Sequence, residues 1–300
     1  MRLIILAAVL VCANLSAGSA TAATYAKPEL LASQESLTTL WRRGAPVVVL
    51  DVRSRAEFDT LHIPTARHVD IFEWKAAFGD GTDAAAWSRQ IGDLGIDART
   101  TVIVYDRFTS PSATRAWWLL KYWGVADVRV LDGGWLSWTP RPLDPMPEQR
   151  PPTEFLAQPQ PERLATLREV EAIAGDQTDV CLVDTRTNQE WNAGIIPTAS
   201  HSDWINYVDP ETAKLRRPDE LLSLLAAAGY DPQRPAVTYC RSGGRASLVA
   251  FVMELMGGQP AANYWGSWNE WSGVRDEGSG VGGQGSSAGP EPITNPIPNP

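Results

Sequence analysis

The sequence predicts an α/β protein made of two tandem modules, each a parallel β-sheet with helices on both faces. Two observations carry that prediction. First, the chain repeats itself. Asp51-Val-Arg53 with Glu57-Phe58 returns as Asp184-Thr-Arg186 with Glu190-Trp191, and Ile63-Pro64-Thr-Ala66-Arg-His68 returns as Ile196-Pro197-Thr-Ala199-Ser-His201. Gly133-Gly-Trp135-x-x-Trp138 returns as Gly266-Ser-Trp268-x-x-Trp271, and the offset is 133 in each case. Three separated matches at one offset mark a duplicated structural unit. Second, short β-branched apolar runs alternate with amphipathic stretches, the pattern of buried parallel strands and their crossover helices.

Taken from the N-terminus, Arg2 precedes the apolar run Leu3–Val11 and the small residues Ser19–Ala23 with Ala-x-Ala at 20–22. This reads as a secretory signal over residues 1–23, too short to span a bilayer. Export into an oxidising compartment is therefore expected, the periplasm in a Gram-negative host. In the first module, 24–142, strands are expected at Val47–Leu50, Val102–Tyr105 and Val128–Leu131, with a helix over Ala113–Trp123. The Pro-rich stretch Arg141–Pro161 reads as a connection, with a linker placed at 143–163. The second module, 164–275, has strands expected at Val180–Val183 and Ala236–Tyr239 and helices over Glu220–Ala228 and Ala246–Met256. Residues 276–300 turn Gly/Ser-rich and then Pro/Asn-rich, the composition of a disordered tail. Gly278-x-Gly280-x-x-Gly283 has the spacing of a dinucleotide fingerprint but lacks the preceding strand and following helix.

Composition narrows the function. The 300 residues carry 26 Lys+Arg against 35 Asp+Glu, a formal charge of −9 that becomes −10 without Arg2. So acidic a chain has no general attraction for nucleic acid or anionic lipid, and any anionic substrate needs a local positive field. Three Cys and three His supply neither a disulfide framework nor a Cys/His metal site, so no metal and no cofactor is expected.

The chemistry concentrates at Tyr239-Cys240-Arg241-Ser242-Gly243-Gly244-Arg245-Ala246. An apolar strand ends at Tyr239, and a short Gly-containing loop leads into a helix. In open parallel sheets, ligands bind just beyond the carboxyl ends of the strands. Loop amides turned inward form an anion nest, the helix start adds the positive end of its dipole, and Arg241 and Arg245 add fixed charge. Gly243 and Gly244 permit the backbone angles such a loop needs. Each of these lowers a thiol pKa, and the thiolate is the nucleophile. Cys181, inside Val180-Cys-Leu-Val183, has no such setting and reads as core.

Together these motifs resemble the tandem-domain rhodanese sulfurtransferases, over roughly residues 30–275. The resemblance implies that the second domain carries the catalytic Cys240 and the first is inactive. Asp106 stands at the position of Cys240, and the first loop looks longer, ten steps from Asp106 to Ala116 against six from Cys240 to Ala246. It implies transfer of a sulfane sulfur from thiosulfate or a similar donor through a Cys240 persulfide to cyanide or a thiol. It also casts Arg186 as a substrate-binding arginine, against the alternative of a structural pair with a carboxylate such as Glu190. Arg241 matches thiosulfate-using members and Ser242 mercaptopyruvate-using ones, so the loop is mixed. Arg245 is left between anion binding and structural pairing. The three histidines and the Trp pairs read as structural. A Cys-x5-Arg phosphatase is disfavoured because the arginine falls one residue early, at 245. A non-enzymatic sulfur-binding module is the alternative of a different class.

Overall fold

The computed structural model describes residues 23–143 and 146–278. The expected signal up to residue 22, the tail beyond 278 with the rest of its fingerprint, and residues 144–145 of the linker lie outside the described residues; residues 276–278, expected to open the tail, instead close a helix.

Each module contains a five-stranded parallel sheet. In the first, β1 (Leu31–Ala32), β2 (Val47–Asp51), β3 (Arg67–His68), β4 (Thr101–Tyr105) and β5 (Asp127–Leu131) are ordered β1-β5-β4-β2-β3. In the second, β6 (Leu164–Ala165), β7 (Cys181–Asp184), β8 (Ser200–His201), β9 (Ala236–Tyr239) and β10 (Ala262–Tyr264) take the order β6-β10-β9-β7-β8. The duplicated α/β architecture is as predicted, and the expected strands fall within one residue of the observed ends.

The helices between them are α1 (Gln34–Arg42), α2 (Arg55–Thr60), α3 (Ile71–Phe78), α4 (Ala84–Asp93), α5 (Pro111–Tyr122), α6 (Leu167–Ala174), α7 (Asn188–Ala193), α8 (Pro218–Ala227), α9 (Gly244–Leu255) and α10 (Ser267–Gly278). Their starts follow local chemistry. Ser54 with Glu57 opens α2 and Thr187 with Glu190 opens α7, each as a reciprocal capping box.

Strand alternation sorts side chains between three cores. Val47, Val49, Ile103 and Tyr105 pack on the outer face of the first sheet, and Leu182, Val237 and Tyr239 on the outer face of the second. Val48, Leu50, Val102 and Val104 face inward, as do Cys181 and Val183, and these belong to one continuous core between the modules. Helices α5 and α9 pack against each other there, with Trp117 on Phe251 at a ring separation of 4.9 Å. Trp265 of the second module stacks on Trp118 at 4.9 Å and packs on Phe78 at 4.7 Å, both from the first. This arrangement brings α3 and α5 of the first module toward the loop before α9.

The Pro-rich connection is not a free tether. Thr153 N–H donates to the Gly92 carbonyl, Ala157 N–H to Ser88 Oγ, and Gln158 N–H to the Trp123 carbonyl, while Arg150 pairs with Asp97. The segment runs along the first module as a strap because its unpaired backbone groups find partners on α4 and at the end of α5.

Because the central core is shared, Trp118→Ala removes a fully buried indole from both modules at once. We expect a loss of about 3–5 kcal/mol. Urea denaturation followed by Trp fluorescence should still show a single transition; two separated transitions would mean that the modules unfold independently.

Candidate active site

Strand β9 ends at Tyr239, and four residues, 240–243, turn the chain into α9. Gly243 is the N-cap in the left-handed region, φ 84°, and its carbonyl accepts from Asn263 Nδ2 at 2.8 Å and Ser247 Oγ at 2.9 Å. A glycine is needed there for its backbone angle. Gly244 serves differently: a Cβ on it would lie 2.1 Å from Arg115 Nη2. Its lack of a side chain, rather than its torsional freedom, is what the site uses.

Cys240 is nearly buried, 2 % exposed. Its Sγ accepts from the Ser242 N–H at 3.4 Å, and its own N–H donates to Ser267 Oγ at 3.2 Å. Burial works against ionisation of the thiol. Arg245, the N–H groups of Ala246 and Ser242, and Arg115 outweigh it, and the thiol pKa is held below its ordinary value.

The expected site residues divide once they are placed. Arg245 makes a bidentate pair with Glu190, 2.6 and 2.7 Å, while also acting on Cys240, so it is at once paired and part of the site. Glu190 is held down to about 2: burial raises its pKa, but Arg245 and the α7 cap outweigh that. Arg241 is exposed at the rim, and Ser242 contributes through its backbone, donating N–H to Sγ and accepting Arg115 at its carbonyl.

Arg186 is turned into the fold. It is 2 % exposed and pairs bidentately with Asp184 at 2.6–3.0 Å. It also donates to the Gly194 carbonyl and lies 4.2 Å over the Trp268 ring. Nε and Nη2 of its guanidinium are engaged internally, and its carboxylate partner is Asp184, not Glu190. Arg53 repeats the arrangement with Asp51, the Leu61 carbonyl and Trp135 in the first module, which has no cysteine at this loop. A feature present in both copies belongs to the fold. Likewise His68 and His201 bond the carbonyls of Arg53 and Arg186 through Nε2, and Trp138 and Trp271 are buried.

The first module's loop runs from Asp106 to Ser110 before α5, five residues against four. It is one residue longer; the larger difference counted from sequence arose from pairing Ala116 with Ala246. Helices α5 and α9 have equal length, so Pro111 corresponds to Gly244, and Ser112 to Arg245. The first copy therefore lacks both the thiol and its cation. Asp106 accepts from the Arg107 N–H and Ser110 Oγ–H, and burial pushes its pKa up to about 6.

Two features were missed in the sequence. Arg115 reaches in from α5 of the first module. Ser267 supports the Cys240 backbone from a positive φ of 54°, where Gly134, φ 53°, stands in the first copy. The offset of 133 pairs Ser267 with Gly134, the one signal that pointed to it. No local pattern marks Arg115, whose repeat counterpart is Leu248. Among the described residues no three His, Cys, Asp or Glu side chains converge as a metal site.

The Rhodanese-like domain model matches residues 33–140 and again 166–273. The chain belongs to the rhodanese family. A protein of Mycolicibacterium smegmatis, provisionally named a thiosulfate sulfurtransferase, is 30 % identical over 82 % of this chain and 95 % of its own. A sulfur carrier protein of Thermus thermophilus is 30 % identical with the same coverage, 82 % and 95 %. The crystal structure of a 3-mercaptopyruvate sulfotransferase from Escherichia coli shares the fold, with a TM-score of 0.67 and 24 % identity over 80 % of this chain and 98 % of that one.

Two predictions test the electrostatics of the two loops in this rhodanese-family chain. Arg245→Met should raise the midpoint of Cys240 alkylation against pH by about one unit, corresponding to about 1.4 kcal/mol; an unmoved midpoint would show that Arg245 does not hold the thiolate. At Asp106 the folded pKa of about 6 lies above the unfolded value near ~3.9, so its favourable contribution is complete below pH ~4 and is lost as pH rises through about 6. Asp106→Asn should therefore gain about 2 kcal/mol on the wild type between pH 4 and 7. Denaturation curves at both pH values measure the difference.

Proposed function

We propose that this protein is a thiosulfate sulfurtransferase working through a persulfide on Cys240. The observation that carries this reading is a lone, nearly buried sulfur that accepts a loop amide, with Arg245 and Arg115 in electrostatic reach. The Cys240 thiolate attacks the outer sulfur of thiosulfate; the S–S bond of the donor breaks and sulfite leaves with the bonding pair. Cyanide or a thiolate then attacks the outer persulfide sulfur, and the Cys240 thiolate is regenerated. This is double displacement by covalent catalysis. The amides and cations that favour the thiolate also favour the persulfide anion, so the loaded state is held by the same groups.

The relatives named for thiosulfate support this donor, and the identity of Ser242 favours a second one, 3-mercaptopyruvate. The hydrophobic leader supports a place of action outside the cytoplasm.

Exposure of the purified, reduced protein to each donor, followed by peptide mass spectrometry, tests the reading. One added sulfur on the peptide containing Cys240 is expected, with release of sulfite or pyruvate identifying the donor. Cys240→Ser should lose transfer to cyanide by at least about a thousandfold while melting as the wild type does, and Cys181→Ser should keep it. A Cys240→Ser variant that retains turnover would end the proposal.

A further inference from the structure

The first module has no cysteine at its loop, yet one of its cations stands against the cysteine loop of the second, and another lies within electrostatic range of the sulfur. Arg115, on α5, is 95 % buried by its 5 % exposure and stands against the Cys240 loop. Its Nη2 donates to the Ser242 carbonyl at 3.2 Å, and its guanidinium carbon lies 5.9 Å from the Trp265 ring centre. The space left by Gly244 is filled by this guanidinium, with Nη2, Cζ and Nε at 2.1, 2.7 and 3.0 Å from where a Cβ would be. Its Nε is buried and makes no hydrogen bond, and no carboxylate lies within ion-pair distance of it among the described residues. Lys75, on α3, is half-buried one turn before Phe78, which packs on Trp265. It is within electrostatic range of both Arg115 and Cys240, and among the described residues its ammonium has no hydrogen bond or ion pair.

A buried arginine without a carboxylate is costly, several kcal/mol before compensation. The charges around the loop show what compensates it. Glu190 balances Arg245, and the Cys240 thiolate can balance one of Lys75, Arg115 and the rim-exposed Arg241. Uncompensated positive charge is therefore left around the loop, and Arg115 is the buried part of it. The buried Nε–H of Arg115, beside Gly244, has no partner within the protein.

We propose that Lys75 and Arg115, both from the module without the cysteine, form the seat for the anionic end of the sulfur donor. The ligand class is a small molecule whose transferable sulfur is attached to an anionic group, either a sulfonate-like –SO3⁻ or an α-keto carboxylate. This rests on the sulfurtransferase reading for its biological meaning, because the seat is placed for a molecule that delivers sulfur to Cys240. It assigns donor selection to the domain that does no chemistry, and it gives Gly244 a reason: any side chain there would expel Arg115.

The test separates this seat from turnover. Cys240 in the full-length protein is alkylated with iodoacetate, which is anionic, and with iodoacetamide, which is neutral. Both reagents report the same thiolate, so their rate ratio cancels thiolate content and reads the local field on the incoming molecule. In the wild type the ratio should exceed that of a free thiol such as glutathione by at least tenfold. Lys75→Gln and Arg115→Gln should each lower it at least threefold, and Arg115→Lys should recover part of the loss. Sulfite or pyruvate at constant ionic strength should protect the wild type from iodoacetate and protect Lys75→Gln less; whichever protects tells which anionic end the seat takes. Should Arg115→Gln fail to fold, Lys75→Gln and Arg115→Lys still decide. A ratio unchanged by Lys75→Gln, or absence of protection by both anions in the wild type, would overturn the proposal. Absence of any sulfur loading on Cys240 would instead overturn the sulfurtransferase reading and leave the alkylation result standing.

Discussion

A sulfur that must be ionised while buried sets the terms for this structure. Removal from water disfavours a thiolate, so positive potential has to arrive from the protein. The loop supplies amide hydrogens, α9 contributes its N-terminal end, and Arg245 and Arg115 bring full charges. Those groups come from opposite sides. Arg245 is on the helix that follows the cysteine, whereas Arg115 crosses from the other module. The continuous core of α5, α9 and the interleaved tryptophans is thus also an electrostatic device, because it fixes the distance between a cation in one half and a nucleophile in the other.

Glu190 shows how closely folding and chemistry are joined. Its carboxylate closes the N-terminal box of α7 and at the same time fixes Arg245 beside the cysteine. In the first copy Glu57 closes the same box, but Ser112 stands where Arg245 would be and Asp106 where the thiol would be. The two copies share the scaffold but not the electrostatic constellation. Asp106, whose burial favours the neutral carboxyl, offers no thiolate to accept a sulfane sulfur. The first copy's contribution lies instead in what it presents across the interface.

The buried Asp51–Arg53 and Asp184–Arg186 pairs mark the opposite case. Each joins a strand end to the following turn, and each arginine lies over a tryptophan of the closing segment. Such pairs gain little net stability over apolar replacements, but breaking one leaves a buried charge uncompensated. Their recurrence in both halves separates a device for building the fold from one for binding a ligand. An arginine judged by its spacing alone looks the same in either role.

What the sequence by itself determined was everything local or periodic. The repeat offset, the apolar strand runs and the capping residues specify two copies of one α/β unit, since these depend on near neighbours along the chain. The Cys240 loop was legible for the same reason: the strand end, the glycines and the helix start are contiguous. Tertiary structure alone decided which cations face the sulfur. Arg186, two residues from the strand end and matched to a binding role, turned inward to a carboxylate only two residues away. Arg115, 125 positions before the cysteine, entered the site because α5 and α9 pack together. Charge acts through space, and the chain records distance only along itself.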